Sequence, residues 1–303
     1  MTETVTQPAT LGLLSAVERR QIERLRFAPR RRFAGRVRGE RISRQKGHSI
    51  EFSDFRDYSV GDDLRRLDWS ILARLDRPTI RTFQDEDDLA VYVLLDCSAS
   101  MDFGTPTKHD VARKAAAAFG LIGLLGQDAV YLLELGHAGR RKARALRGRG
   151  NASAVDRWAS NSKATGSVGL ADALTQFAYS GNYRPGLAIV ISDGLDAAAR
   201  QAIRAVGARG HEVLIVQTLS ALELDPEMEG DLRLLDSESG DVVDITAHSE
   251  VVRIYKENLN AHCEDLADAA LKSGGRYMRI LSHESVVDVC VRELRRLGAL
   301  EQS

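Results

Sequence analysis

Residues 89–101 read LAVYVLLDCSASM, an apolar run that ends abruptly in short polar side chains. Such a run, without polar alternation, predicts a strand that is buried on both faces, as in a parallel sheet. Asp96, Ser98 and Ser100 follow at alternate positions, so their oxygens can project from one side of the chain. Because carboxylates and hydroxyls are ligands for hard divalent cations, this stretch predicts a site for Mg²⁺ or Mn²⁺ at a strand end.

A second apolar run, residues 187–191, leads into Ser192 and Asp193. In open α/β sheets, ligands bind at the carboxyl edge where the strand order reverses. If the two strands are neighbours at that point, the carboxylates of Asp96 and Asp193 converge on one ion. The structural alternative for Asp96 is a simple turn or helix-capping residue. Its combination with two serines and Asp193 favours the metal interpretation.

Beyond residue 86, apolar strands alternate with amphipathic helices, which is typical of a mostly parallel sheet covered on both faces. We therefore predict a doubly wound, Rossmann-like α/β domain over residues 86–300. The predicted core strands are 89–95, 129–135, 187–191, 211–217 and 276–281. The predicted helices are 108–125, 153–160, 168–179, 197–206, 250–273 and one around 287–294. A hairpin with strands 232–235 and 242–245 lies in an insertion spanning about 222–247.

Residues 1–85 have a different character and are predicted to pack on that domain as an N-terminal extension. Helical spacing predicts a helix within 13–27, and a basic, glycine-interrupted run covers 29–46. In the dense segment that follows, Gly61 is predicted to form a turn. Asp62 or Asp63 is then expected to cap a short helix that ends near Ala73.

The composition, with 44% hydrophobic and 28% charged residues, is that of a protein with a real core. Cys97, Cys263 and Cys290 are widely spaced, which indicates a reducing compartment rather than a disulfide framework. The sequence has no recognisable secretory signal and no apolar stretch of bilayer length. We therefore expect a cytoplasmic protein without a transmembrane segment, with peripheral association with the inner membrane as the alternative.

The formal net charge is only −1, yet the charges are unevenly distributed. Residues 18–46 contain 12 Lys and Arg against three Asp and Glu. A basic segment of this kind can bind nucleic acid or anionic lipid. It can equally be a solvated face that pairs with acidic residues elsewhere, such as 85–88. Because it lacks the aromatic interleaving of single-strand binders, nucleic acid is the less favoured partner.

The pattern DxSxS followed by a distant Asp resembles the metal-ion-dependent adhesion site (MIDAS) of von Willebrand factor A-like domains. The resemblance extends over roughly residues 88–298. It implies a von Willebrand factor A-like fold and an ion that keeps one coordination position for a partner's acidic side chain. It also implies the following ligands: Asp96, Ser98 and Ser100 as the first group, and Asp193 as the last.

The middle ligand departs from the pattern of that family. There, a threonine stands two residues before the Leu or Ile that opens a helix. Here the helix opens at Leu170, and Val168 occupies the threonine position. Ser167 and Thr165 remain as candidates for the missing ligand. The simpler interpretation of Ser167 is an N-cap of the 168–179 helix.

An upstream pattern is similar to the signature of family fifty-eight of bacterial domains of unknown function (DUF58). The residues that carry it are Arg56, Tyr58, Gly61, Asp62, Asp63, Arg65, Asp68 and Trp69, followed by Ala73-Arg74. Leu222-Glu223-Leu224 before the hairpin adds to the resemblance, which covers about residues 13–298. Members of this family are typically encoded near MoxR-type AAA+ ATPases. The resemblance therefore implies a partner or adaptor of such an ATPase.

The signature itself is interpreted as structural rather than ligand-binding. Phe55 and Trp69 are predicted to be core anchors of the N-terminal region. Arg56, Arg65 and Asp68 are predicted to form an ion-pair network there.

Two function classes follow from these patterns. The favoured one is a non-enzymatic, metal-dependent protein-binding module. The alternative is a Mg²⁺-dependent phosphohydrolase of the haloacid dehalogenase type, with Asp96 as nucleophile and residues 192–196 (SDGLD) as the acidic motif. That mechanism wants a second Asp two residues after the nucleophile as general acid, and Ser98 stands there. Cys97 has no histidine placed to activate it, and no Walker A motif is present.

Overall fold

The computed structural model describes residues 12–31, 33, 52–58, 67, 69–83, 89–137, 143–226, 230–235 and 242–302. The chain divides into two compact units, one formed by Met1–Arg31 with Leu89–Ser303 and the other by Arg32–Asp88. The sequence interpretation grouped residues 1–31 with the segment that follows them. In the structure, the described residues 12–31 belong to the unit that contains the main sheet.

The elements of the described residues are numbered in chain order. The helices are α1 (Ala16–Ile22), α2 (Trp69–Leu75), α3 (Lys108–Leu125), α4 (Ala152–Asn161), α5 (Leu170–Tyr179), α6 (Ala199–Ala208), α7 (Ala221–Leu224), α8 (Ser249–Lys272) and α9 (Val286–Arg296). The strands are β1 (Leu25–Phe27), β2 (Phe52–Asp57), β3 (Thr79–Phe83), β4 (Ala90–Asp96), β5 (Ala129–Leu135), β6 (Leu187–Ser192), β7 (Glu212–Leu219), β8 (Gly230–Leu235), β9 (Val242–Ala247), β10 (Arg276–Leu281) and β11 (Leu300–Gln302).

The main unit is built on a five-stranded sheet with the order β10-β7-β6-β4-β5, and every neighbouring pair is parallel. The chain moves from β4 outward to β5 and then returns to place β6 on the other side of β4. The order therefore reverses between β4 and β6. Helices α5, α6 and α8 pack together on one face, and α1, α4 and α9 pack around α3 on the other. This is the predicted doubly wound, Rossmann-like α/β fold.

Burial on both faces explains the uninterrupted apolar runs. All residues of β4, β6 and β7 are buried, and each large aliphatic side chain removed from water contributes about 1.5–3 kcal/mol. Helix α3 approaches the sheet closely because small residues line it. A Cβ added at Gly123 would lie only 2.7 Å from Cγ2 of Val130 on β5.

Most predicted elements lie within one or two residues of the observed ones, and α3, β5 and β10 have the predicted bounds. The predicted hairpin is confirmed as the antiparallel pair β8–β9. The predicted helix within 13–27 is wrong at its end, because α1 stops at Ile22. Residues 25–27 instead form β1, which pairs antiparallel with β11. This pairing buries Leu25 and Phe27.

The smaller unit contains α2 and the antiparallel pair β2–β3. Trp69 opens α2 and is 65% exposed, so its prediction as a core anchor is wrong. Tyr58 is half-buried, and its backbone N–H donates to the Pro78 carbonyl at 2.8 Å. Phe55 and Arg56 lie in β2, where only the backbone is described. The remaining signature residues lie outside the described part of the chain: Gly61, Asp62, Asp63, Arg65 and Asp68.

In the parts of the chain that the structure describes, no helix has the length and apolar character needed to span a bilayer.

Candidate metal centre

Asp96 is the last residue of β4 and is 1% exposed. Its Oδ1 accepts a hydrogen bond from the Ser98 backbone N–H at 2.9 Å, and its Oδ2 accepts one from the Ser192 hydroxyl at 2.6 Å. Burial, with the nearby negative charge of Asp193, raises the pKa of Asp96 to about 6. Each carboxylate oxygen can accept more than one bond, so Asp96 keeps free lone pairs.

Ser98 and Ser100 place their hydroxyl oxygens 3.1 Å apart, directly after Asp96. In an octahedral Mg²⁺ shell, ligand oxygens lie about 2.0–2.1 Å from the ion, so neighbouring oxygens are about 3.0 Å apart. Ser98 is buried and Ser100 is half-buried. The two hydroxyls therefore have the spacing of adjacent ligands of one hard cation.

Asp193 directly follows β6 and is buried. Its Oδ1 accepts from the Leu195 backbone N–H at 3.2 Å, and its backbone carbonyl accepts from Nε2 of Gln217 at 2.8 Å. Strands β4 and β6 are paired, and the Ser192 hydroxyl beside Asp193 donates to the Asp96 carboxylate at 2.6 Å, so both acidic residues lie where the strand order reverses. The structure thus brings together Asp96, Ser98, Ser100 and Asp193.

Lys108, the first residue of α3, is a member of this site that the sequence interpretation missed. It is 1% exposed, and its Nζ donates to Oδ2 of Asp193 at 2.7 Å and to Oε1 of Glu223 at 2.6 Å. Burial opposes the ammonium charge, but Asp193 and Glu223 outweigh burial and raise the pKa of Lys108. One sequence signal existed: a Lys in the first turn opposes the helix dipole, so it needs another reason to be there.

Glu223 is held in place by the start of α7. Its Oε2 accepts from the Ser220 backbone N–H at 2.7 Å, and the Ser220 side chain completes a capping box with α7. Lys108 therefore joins the segments that follow β6 and β7 to the start of α3.

The loop expected to supply the middle ligand lies against the serines. Gly166 forms a bridge with Ser98: its N–H donates to the Cys97 carbonyl at 2.7 Å. A Cβ at Gly166 would collide with the Gly136 carbonyl oxygen, so only glycine fits. Thr165 and Ser167 flank Gly166 with exposed side chains.

Val168 cannot donate a side-chain oxygen and instead packs on the core. The alternative role of Ser167 as N-cap is wrong, because Gly169 occupies that position. Asp196 caps α5 from another loop: its Oδ2 accepts from the Ala171 N–H at 2.9 Å. Asp196 is thereby committed to the helix and not to the candidate site.

The donor set fits a hard cation that retains several waters. Within the described ranges, no three His, Cys, Asp or Glu side chains group as metal ligands. The oxygens available are thus two carboxylates and two hydroxyls, a set suited to Mg²⁺ or Mn²⁺ and unsuited to zinc or copper.

The fold and the strand ends define a doubly wound α/β domain with a polar site between β4 and β6. A family model described as "Protein of unknown function DUF58" matches residues 54–265, and the chain belongs to that family. An uncharacterized protein of Mycobacterium tuberculosis is 29% identical over 287 residues, which cover 91% of this chain and 89% of the relative.

Two solved structures are also similar. The conserved hypothetical protein BatB from Bacteroides thetaiotaomicron is 16% identical with a TM-score of 0.43, covering 69% of this chain and 98% of that one. An aerotolerance-related membrane protein from Bacteroides fragilis is 17% identical with a TM-score of 0.42, covering 69% of this chain and 99% of that one. None of these descriptions names an enzymatic activity.

Proposed function

We propose that this protein is a non-enzymatic binding module whose partner is recognised through a bound Mg²⁺ or Mn²⁺. The proposal rests on one observation: buried Asp96 stands beside two hydroxyl oxygens 3.1 Å apart at the reversal of the strand order. Asp96, Ser98 and Ser100 would hold the ion, and Asp193 would add negative charge near it. Ser167 or Thr165 would lie on the solvent-exposed side of the ion. The bound ion supplies a positive charge that a partner's Asp or Glu can approach.

The surroundings of the site support a protein as the partner. Phe103, Leu195 and Leu222 are large apolar side chains exposed in the segments that follow β4, β6 and β7. Apolar side chains around a polar centre are typical of protein-binding surfaces. The preferred ligand is therefore a segment with an acidic residue flanked by apolar residues. The family resemblance suggests a MoxR-type AAA+ ATPase, or its client, as the protein that presents this segment.

The ion and the partner are tested separately. Purified protein is titrated with Mn²⁺ and followed by electron paramagnetic resonance, and Asp96→Ala should lose the binding. Capture of a purified MoxR-type ATPase is then compared in Mg²⁺ and in EDTA. Capture should require both Mg²⁺ and Asp96. Asp268→Ala, in an exposed ion pair of α8 with Lys272, is the matched control and should behave as wild type. Equal capture by Asp96→Ala would reject the metal-dependent role.

The structure offers the phosphohydrolase alternative little support. Ser98 carries no carboxyl group to protonate a leaving group, and both carboxylate oxygens of Asp196 accept backbone N–H bonds from Ala171 and Ala198. Turnover of a simple phosphate ester in Mg²⁺ that disappears in Asp96→Asn would restore this alternative.

A further inference from the structure

We infer that Lys108 is the fixed counter-cation of Asp193, so that Asp96 is the one carboxylate that binds the ion directly and Asp193 acts on it through water. This inference rests on the metal site proposed above and assigns unequal roles to its two acidic residues. It makes Lys108 the residue that limits the affinity of the site for a cation.

Lys108 and Asp193 form a direct buried contact. The Lys108 ammonium lies 2.7 Å from Oδ2 of Asp193 with both side chains buried. At that distance the bond is charge-assisted and short, the strongest class of hydrogen bond in proteins. An ion bound directly to the Asp193 carboxylate would therefore lie within a few ångströms of a buried ammonium. Because both side chains are buried, solvent screens the repulsion between the two cations less than it would at the protein surface.

Lys108 is held in place by both its backbone and its ammonium group. The backbone N–H of Lys108 donates to the Phe103 carbonyl at 2.9 Å, and Thr107 caps the helix that Lys108 begins. Its ammonium also contacts Glu223, which Ser220 fixes in turn. Moving Lys108 away from Asp193 would leave buried charges without partners, which is strongly unfavourable.

Asp96, unlike Asp193, has no cationic partner among the described residues. Within that part of the chain, the hydrogen-bond partners of the Asp96 carboxylate are neutral: the Ser98 backbone amide and the hydroxyls of Ser192 and Ser98. Its negative charge is therefore available to a cation. Asp96 also stands next to the two serine hydroxyls, whereas Asp193 reaches the site from the neighbouring strand.

Four proteins test the inference: wild type, Lys108→Met, Asp193→Asn and the double variant. Each is titrated with Mn²⁺ alone, followed by electron paramagnetic resonance. Methionine keeps the length of the lysine side chain and removes its charge. Freeing Asp193 should raise Mn²⁺ affinity about tenfold in Lys108→Met, because one nearby repulsive charge is lost and one ligand is gained.

Asp193→Asn should weaken Mn²⁺ binding by only about threefold in the wild-type background, since Asp193 does not ligate directly. In the Lys108→Met background the same change should cost about tenfold or more, because Asp193 has become a ligand there. A purely long-range charge effect would give equal losses in both backgrounds and would overturn the inference. Loss of Mn²⁺ binding in Asp193→Asn alone, as complete as in Asp96→Ala, would also overturn it.

Failure of the inference and failure of the metal site are separable. If neither wild type nor Lys108→Met binds Mn²⁺, the metal site itself is rejected, and the inference falls with it. If wild type binds Mn²⁺ and the losses are equal in both backgrounds, only the inference falls. Thermal unfolding in EDTA checks folding, and Lys108→Met should unfold at a lower temperature than wild type. If Lys108→Met does not fold, the Mn²⁺ affinities of Asp193→Asn and Asp96→Ala are compared instead, and an equal loss in both variants overturns the inference.

Discussion

Charged side chains are buried at both ends of the strands of the main sheet, but their charges are balanced only at the amino-terminal ends, called here the amino edge. The carboxyl-terminal ends are called the carboxyl edge. At the amino edge, Arg276 on β10 pairs with Glu212 on β7 in the protein interior. The same guanidinium donates to the Leu297 carbonyl at 3.1 Å and to those of Ala28 and Gly298 at 2.9 and 2.8 Å. Glu212 also accepts from the Arg31 N–H at 2.9 Å. The charges of Arg276 and Glu212 therefore balance each other, and the remaining guanidinium donors of Arg276 bond backbone carbonyls.

At the carboxyl edge the balance is incomplete. Lys108 neutralises only part of the negative charge that Asp96, Asp193 and Glu223 contribute. Asp96 keeps a raised pKa because burial and Asp193 act on it while its bonding partners are neutral. The burial of a charged side chain is therefore not enough, by itself, to identify a ligand-binding site. A buried network with its charges balanced ties the chain together, whereas a buried charge left over indicates a place for a ligand.

The largest effect should follow from breaking the balanced edge. Arg276→Met leaves Glu212 buried without its cation, and we expect the free energy of unfolding to fall by about 3–5 kcal/mol. Urea denaturation measures the loss. Arg233→Met, which removes an exposed ion pair with Asp244, is the control and should change nothing measurable. Equal stability of the two variants would contradict the comparison.

The unbalanced charge at the carboxyl edge should make the unfolding free energy of the metal-free protein depend on pH. Folded Asp96 has a pKa of about 6, above its usual value of 3.8, so it holds its proton to higher pH than the unfolded chain does. Tighter proton binding by the folded protein stabilises it, and this stabilisation is fully present below about pH 4. It is lost as the pH rises through about 6, by about 3 kcal/mol in total.

Urea unfolding in EDTA between pH 4 and 7, for wild type and Asp96→Asn, measures this contribution. The difference in unfolding free energy between the two proteins should change over that interval in favour of the variant. If the difference in unfolding free energy between the two proteins is constant with pH, Asp96 is not the source of the pH-dependent stability.

Bound Mg²⁺ should neutralise the excess negative charge at the carboxyl edge and so stabilise the folded protein. At 100 times its dissociation constant, an ion that binds only the folded protein stabilises it by about 2.7 kcal/mol. We expect a rise in melting temperature at pH 7 and none at pH 4, where Asp96 is protonated. Sodium chloride of equal ionic strength is the control, and a rise that Asp96→Asn also shows would place the binding elsewhere.

The smallest effect concerns the loop beside the serines. Gly166→Ala forces a Cβ against the Gly136 carbonyl, and we expect a loss of about 1–3 kcal/mol together with weaker Mn²⁺ binding. Gly150→Ala is the matched control, since no atom lies within 4 Å of the added Cβ. Unchanged Mn²⁺ binding in Gly166→Ala would separate this loop from the metal site.

The sheet could be predicted from the sequence because its strands are buried on both faces, so residues 89–95 and 187–191 show unbroken apolar character. The polar ends of those strands likewise predicted where Asp96 and Asp193 would lie. These signals are local, since each is contained in fewer than a dozen neighbouring residues.

The features that escaped prediction are long-range. Lys108, Asp193 and Glu223 come from three distant segments, and no spacing rule joins them. Strands β1 and β11 are three residues long and pair across nearly the whole chain. Trp69 is predicted from the sequence as a core anchor of the N-terminal region, whereas in the structure it is exposed.

The pairing of β1 with β11 has a consequence for how the main unit opens. The two strands protect each other's amides, and Arg276 holds the carbonyls of Ala28 and Gly298 just beyond them. Neither strand can detach while the other stays protected. The Ala28 N–H donates to the Ala299 carbonyl, so in this antiparallel pair the next amides that face the partner strand are those of Arg26 and Glu301. In native-state hydrogen exchange, these two amides should therefore exchange at a common rate, as one cooperative opening of both strands.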